Sequence, residues 1–337
     1  VISRHFWGGQ VEPEKQAGIR NVLLTADKWD FNIWQLKELT EGRVLQTLAW
    51  HILHCYGLVE HFQLDKATLK NWLEFVESRY TDTEYHSATH AADVLQGVHF
   101  FLTTAGAIKM LGKIEQLALI LSAIVHDMGH DGYNNVYHKN SMSKRALQFN
   151  DQSIQENFHV SELFAETFAQ DNLNIFKHFN REQMTEIRRL MILAVLTSDM
   201  SKHFATLESF RDLAAEKGQD AEAWSSDQAA SDILCEFILH LADISNPARP
   251  FPFARKWAEL VMMEFFKQGD AEASLGLPIS PSCDRHTTVL PKTQIGFIKF
   301  IVLPSYQIMK EVLPAVGNTV LPTLEDNLKT WHEFEEN

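Results

Sequence analysis

Residues 113–130 read "KIEQLALILSAIVHDMGH". A helix drawn through this stretch is apolar around most of its circumference, so it cannot lie on a surface and must be enclosed by other helices. It ends in an imidazole and a carboxylate, His126 and Asp127, and runs into "GHDGYNN", a Gly- and Asn-rich loop (129–135). A charge at such a buried helix end needs a partner, and a metal ion is one answer.

The rest of the chain supplies the enclosing helices. Leu36, Leu39, Val44, Leu48 and Ile52 recur at helical intervals within 32–62, with a break expected near Gly42. Residues 65–80 open on an Asp cap and place Leu69, Trp72, Leu73 and Val76 on one stripe. Helical patterns continue over 87–106, 153–170, 181–197, 226–242, 254–268 and 293–312, the last interrupted by Pro304. Residues 269–291 hold Gly, Pro and Ser in quantity and read as a long loop, of the kind usually functional or mobile. No alternating run supports a sheet. The expectation is an all-α fold, a compact bundle of about 14–17 helices at ordinary helix lengths, with helical subdomains around a metal-containing cleft. It is read as one domain over 1–337.

Composition narrows the function. A formal net charge of -14 makes the chain a poor partner for polymeric nucleic acid or an anionic membrane surface. It does not exclude an anionic small substrate, because a metal inverts the local field. No apolar run reaches the ~18 residues of a transmembrane segment, and Val1–Gln10 lacks the apolar region of a signal peptide. Cys55, Cys235 and Cys283 form no CxxC pair and suggest a reducing compartment, hence a cytoplasmic protein. The chain begins without Met, which is expected of a processed product or an excised domain.

Five segments bring acids or imidazoles to the ends of apolar stretches. His86 and His90 are four apart and share a face if both are helical. His126 and Asp127 close the central helix, "CEFILHLADISNP" delivers His240 and Asp243, "MILAVLTSDMS" delivers Asp199, and "NDQSIQENFH" supplies Glu156 and His159. Mixed His and carboxylate ligands suit zinc and similar ions, and an aspartate can bridge two of them. Two such ions bind a phosphoryl group, which points to a metal-dependent phosphoester hydrolase. The other histidines, among them His51, His54, His61, His99, His138, His178, His203 and His332, read as core or surface residues.

These motifs resemble the catalytic domain of the class I cyclic nucleotide phosphodiesterases. "YHSATHAADVLQ" (85–96), "HDMGHDGYNN" (126–135), "NDQSIQENFH" (150–159), "LTSDMSKHF" (196–204), "LHLADISNP" (239–247), "WAELVMMEFFKQGDAE" (257–272) and "ISPSCDRHTTVLPKTQIGFIKFIVLP" (279–304) stand in family order, and the likeness is strongest over 40–310. The resemblance implies hydrolysis of cyclic AMP, cyclic GMP or both to 5′-monophosphates, ending a cyclic nucleotide signal. It implies His90, His126, Asp127 and Asp243 as ligands of a first metal, Zn²⁺, with Asp127 bridging to a second, Mg²⁺ or Mn²⁺. A hydroxide between the ions is the implied nucleophile, and His86 the general acid. His130, Glu156, His159 and Asp199 match residues that orient the ligands and metal-bound water. Gln294 matches a purine-binding amide, Phe297 an aromatic that stacks on the base, Val261 and Phe265 the opposite wall, and Asn246 a residue near base and ribose. N-terminal regulatory or targeting domains outside this chain, membrane association through them, and a homodimer are all compatible with the family. Phe158, Gly129 and Asp131 depart from its pattern. A general His-Asp phosphohydrolase and a non-enzymatic helical scaffold are the alternatives. The Gln294–Phe297 pair argues against the first, and the complete ligand set against the second.

Overall fold

A computed structural model describes residues 12–336; the signal-peptide expectation for Val1–Gln10 lies outside them. The described residues contain α-helices, short 3₁₀ turns and one π turn, and no strand. The chain opens with α1 (Pro13–Leu23) and α2 (Ile33–Leu39), then α3 (Val44–Cys55), the single turn α4 (Leu58–His61) and α5 (Lys66–Arg79). Next come α6 (Ala88–Leu102), α7 (Lys113–Val125) and two short helices, α8 (Asn135–Asn140) and α9 (Lys144–Phe149). The second half holds α10 (Ile154–Ala169), α11 (Arg181–Thr197), α12 (His203–Lys217), α13 (Ala221–Ser225) and α14 (Gln228–Asp243). It closes with α15 (Phe251–Ser274), α16 (Leu290–Phe297), α17 (Leu303–Val312) and α18 (Pro314–Glu336).

The all-apolar helix α7 is central, as its composition requires. Every residue from Gln116 to Val125 is buried, and α3, α6, α10, α11 and α14 pack around it. Helices α6 and α14 cross closely at Gly97, where even a methyl group would stand 3.2 Å from the Ala242 side chain. That approach carries His90 on α6 towards Asp243 at the end of α14.

Caps fall where the sequence marks them. Asp65 accepts from the Thr68 amide at the start of α5, and Asn180 with Gln183 forms a capping box on α11. The break near Gly42 separates α2 from α3. The stretch 293–312 is interrupted as expected, but the interruption is a π turn over Ile298–Val302, with Pro304 in the first turn of α17, where its missing N–H costs nothing.

One boundary differs. The expected loop over 269–291 starts later, because α15 runs on to Ser274. The cause is Glu272, fully buried, whose carboxylate accepts from the Ser280 amide (2.6 Å), the Ser280 hydroxyl and Gln268 Nε2 (3.0 Å). The helix thus extends under the loop and ties it down. Helices α1, α8, α9, α12, α13 and α18 are additions that the apolar periodicity did not announce.

Candidate metal centre and substrate cavity

His126 caps the C-terminal end of α7, so Asp127 leaves the helix on a new heading and both side chains reach one centre. His90 comes from the first turn of α6 and Asp243 from the last residue of α14. His90 Nε2 lies 3.0 Å from Asp243 Oδ1 and 3.6 Å from Asp127 Oδ2; His126 Nε2 lies 3.1 Å from Asp127 Oδ2 and 3.4 Å from Asp243 Oδ1. Four atoms bound to one tetrahedral ion at ~2.1 Å would stand about 3.4 Å apart.

The polar accounting agrees with a cation. His126 Nδ1–H donates to the Ala123 carbonyl (3.0 Å), which leaves the Nε2 lone pair facing the two carboxylates. His126 Nε2 and Asp127 Oδ2 are buried and neither makes a directed hydrogen bond, despite their 3.1 Å approach. Burial disfavours charge on all these groups, yet the carboxylate of Asp127 holds the His126 ring well above its usual pKa, and the Asp127 carboxyl is held well below its own. The cluster therefore requires a positive charge at its centre, a proton on His126 or a cation. These residues fit a divalent metal.

His86 lies just outside α6, which begins at Ala88 close to the expected start at 87, so the condition for a face shared with His90 is not met and His86 sits in the preceding bend. Its Nδ1 hydrogen-bonds the Glu264 carboxylate, which also accepts from the amides of Tyr85 (3.0 Å) and His86 (3.1 Å). Burial works against a charged ring, but Glu264 and then Asp127 overcome it and raise His86 to about 9. His130 stacks on His86 with ring centroids 3.9 Å apart. Burial, reinforced by the charge on His86, keeps His130 neutral well below its usual pKa. Its Nδ1 accepts from the Gly132 amide (3.0 Å), so the ring proton sits on Nε2 and makes that atom a donor.

The remaining expected residues meet in the same place. A cavity of about 700 Å³ is lined by His86, Asp127, His130, Glu156, His159, Asp199 and Asp243, and also by Asn246, Val261, Phe265, Gln294 and Phe297. His90 and His126 stand behind its floor, fully buried. Glu156, bonded by Asn135 (2.9 Å), has its carboxyl raised to about 7 by burial and by Asp199. Asp199 accepts from the Ser153 hydroxyl (2.8 Å) and the Ser201 amide (2.9 Å). Along α15, Ala254, Ala258, Val261 and Phe265 face the cavity at helical spacing.

Two residues behave differently from the sequence reading. His240, which travels with Asp243, turns to His203 instead (2.8 Å). Asn246 lines the cavity, but it accepts from the Tyr85 hydroxyl and donates to Asp93 Oδ2 (2.9 Å), so it ties the wall to the buried Asp93–Arg249 pair rather than standing free. Glu264 was missed. Its signal was available: a lone carboxylate inside the apolar run "VMMEFF", 2% exposed in the fold.

The family model for 3′5′-cyclic nucleotide phosphodiesterase matches residues 85–323, which hold every one of these side chains. The chain belongs to this family. Its relatives include a probable 3′,5′-cyclic phosphodiesterase, pde-1, of Caenorhabditis elegans, 39% identical over 88% of this chain and 43% of that protein. A dual specificity calcium/calmodulin-dependent 3′,5′-cyclic nucleotide phosphodiesterase 1B of Cricetulus griseus is 36% identical over 95% of this chain and 58% of its own length. The chain thus spans about half the length of these relatives. Among solved structures, the phosphodiesterase domain of the RhoPDE fusion protein from Salpingoeca rosetta superposes with a TM-score of 0.85 at 28% identity, covering 93% of this chain and 96% of that one. The family fold is therefore the all-α architecture described above. No helix among the described residues is long and apolar enough to cross a membrane.

Proposed function

We propose that this chain is a single catalytic domain that hydrolyses the 3′,5′-cyclic phosphodiester of purine nucleotides to 5′-monophosphates. The observation that carries the reading is that the His90–His126–Asp127–Asp243 cluster and the His86–Glu264 pair open into one cavity with Gln294 and Phe297. In this reading the four clustered residues hold Zn²⁺. Asp127 Oδ1 faces His159 Nε2 at 3.8 Å, two acceptors at a separation that suits a hydrated second cation such as Mg²⁺. When bound, a divalent pair supplies a low-pKa water and neutralises phosphoryl charge.

The chain's own groups do the rest. His86 is charged at neutral pH and presents Nε2–H to the cavity, since Nδ1 is taken by Glu264. As the P–O3′ bond breaks, that proton goes to O3′. His130 Nε2–H donates to a phosphoryl oxygen or to water beside it. At the other end Phe297 and the α15 stripe give the base an apolar slot, and Gln294 reads its edge.

Gln294 bears on the choice of base. It is buried against the cavity, and no described side chain hydrogen-bonds its amide. The lining residues of α15 are apolar except for Trp257, whose indole N–H is itself buried, so α15 offers nothing to lock one orientation. An amide free to flip meets adenine or guanine equally, and we read the chain as accepting both. The dual specificity relative above agrees with that breadth, whereas 3′,5′-cyclic-AMP phosphodiesterase 4C of Rattus norvegicus, 34% identical, is named for cyclic AMP alone. Free cysteines at Cys55, Cys235 and Cys283 fit a cytoplasmic setting. The test is turnover of cyclic AMP and cyclic GMP by purified protein, before and after chelation and with Zn²⁺ and Mg²⁺ restored. Absence of turnover of either nucleotide in the metal-loaded protein would overturn the reading.

A further inference from the structure

Gly129, Asp131 and Phe158 all meet one guanidinium in the fold. Arg145, on α9, has its charged group 3.6 Å from the centre of the Phe158 ring. Its Nη2 donates to the Gly129 carbonyl (3.0 Å), and its Nη1 donates to Gln155 Oε1 and lies 3.3 Å from Asp131 Oδ2. Gly129 has φ +79°, and a Cβ there would come within 2.9 Å of Phe158. The close ring and the absent side chain therefore go together, and the ring fixes the plane on which Arg145 rests.

The consequence lies in the loop that follows Asp127. Three successive carbonyls are each held by a side chain from a different segment. His159 Nδ1 donates to Met128 O (2.8 Å), Arg145 to Gly129 O, and Thr81 Oγ1 to His130 O. Asp131 at the end of the loop accepts from Gln155 Nε2 (2.7 Å) and lies 3.1 Å from His138 Nε2. His159 and Gln155 tie the loop to α10 directly, and Arg145, from α9, braces the same junction by touching Gly129 and Asp131 on the loop side and Gln155 and Phe158 on α10. A planar fork with several donors suits such a junction in a way that a point charge does not.

We propose that Arg145 is a positioning residue for the metal centre, holding the 127–131 loop against α10 so that Asp127 stays aimed at the cluster. The inference rests on the metal reading above. Removing a group that orients a ligand typically weakens metal binding ~10–100-fold. The test uses the whole chain with Arg145→Met, which keeps the bulk, and Arg145→Lys, which keeps the charge but loses the fork. Mn²⁺ and Zn²⁺ affinities are measured by titration calorimetry and by metal content after dialysis against a graded chelator, beside melting temperature and kcat at saturating metal. The expected result is metal binding weakened roughly tenfold or more in both variants, with kcat at saturating metal within a few-fold of wild type. Equal metal affinity with a lowered melting temperature would mean a purely structural role and would overturn the inference, as would full rescue by lysine. If Met does not fold, the Lys variant decides alone by the same affinity criterion. Wild-type protein that binds neither ion would instead sink the metal reading itself, so the two failures are distinguishable.

Discussion

Glu264 and His86 lie 178 residues apart in sequence and share a hydrogen bond in the fold, with the two backbone amides of Tyr85 and His86 pointing at the same carboxylate. The pairing decides the charge of a ring that burial alone would keep neutral. It also fixes which nitrogen faces the cavity.

A pH profile should report that pairing. With His86 raised to about 9, its acid form is fully present at neutral pH and is lost as pH rises through that value. The alkaline limb of kcat/KM should therefore lie near 9. Glu264→Gln removes the nearest opposite charge, which typically supports a shift of ~1–3 pH units, and the limb should move to lower pH. His86→Ala should slow turnover ~10²–10⁴-fold while metal content holds. An alkaline limb unmoved by Glu264→Gln would separate Glu264 from the acid.

Metal content tests the cluster. Asp127→Ala and Asp243→Ala should abolish hydrolysis and release metal, and Asp127→Ala should disturb both ions, since its second oxygen faces away from the first site. Elemental analysis of dialysed protein is the measurement. Full occupancy of both sites in Asp127→Ala would remove it from the ligand set.

Much of this site was legible because chemistry-bearing residues sat at the ends of apolar helices. His126, Asp127 and Asp243 could be placed from periodicity, since an all-apolar helix must be central and its terminal charges must find a partner there. The helix start at 87 already left His86 outside α6, but its partner Glu264, 178 residues away, was not legible, because the pairing forms only on folding. Asn246 illustrates another limit. Its position beside the cavity follows from "ADISNP", but its engagement with Tyr85 and Asp93 is a three-dimensional fact. Arg145 carries no periodic signal at all; it matters through a carbonyl, a carboxylate and a ring that the chain brings together only on folding.

The loop over 275–289 should depend on Gly269. A Cβ at that position would stand 2.0 Å from the Cys283 carbonyl oxygen, a clash with backbone that no rotamer relieves. Gly269→Ala should force the loop off α15, against the hold of Glu272, at a cost of about 1–3 kcal/mol. The melting temperature should fall, and limited proteolysis should cut within the loop sooner. Because Ser282 lines the cavity, KM should rise more than kcat falls. Unchanged melting and cleavage would show that the loop is not seated by this contact.

Gln294 makes the sharpest claim about substrate. A purine that loses a bidentate amide keeps an unpaired donor or acceptor, costing ~1–3 kcal/mol, or roughly ten- to a hundredfold in kcat/KM. Gln294→Ala should lower kcat/KM by that factor for cyclic AMP and cyclic GMP alike, because the unlocked amide serves both. A small phosphodiester without a purine makes no such contact, and its slow hydrolysis should be nearly unchanged. Replacing Ala254 by Tyr, on an α15 face whose one polar lining side chain, Trp257, keeps its N–H buried, adds a hydroxyl to the cavity wall. That variant should restrict the amide to one orientation and split the two nucleotides by about tenfold or more, the amount one lost hydrogen bond allows. Kinetics with all three substrates in wild type, Gln294→Ala and Ala254→Tyr check the claim. Equal losses on all three in Gln294→Ala would trace the damage to the metal centre or the fold. A wild-type preference of a hundredfold for one nucleotide would show that something other than α15 already holds the amide.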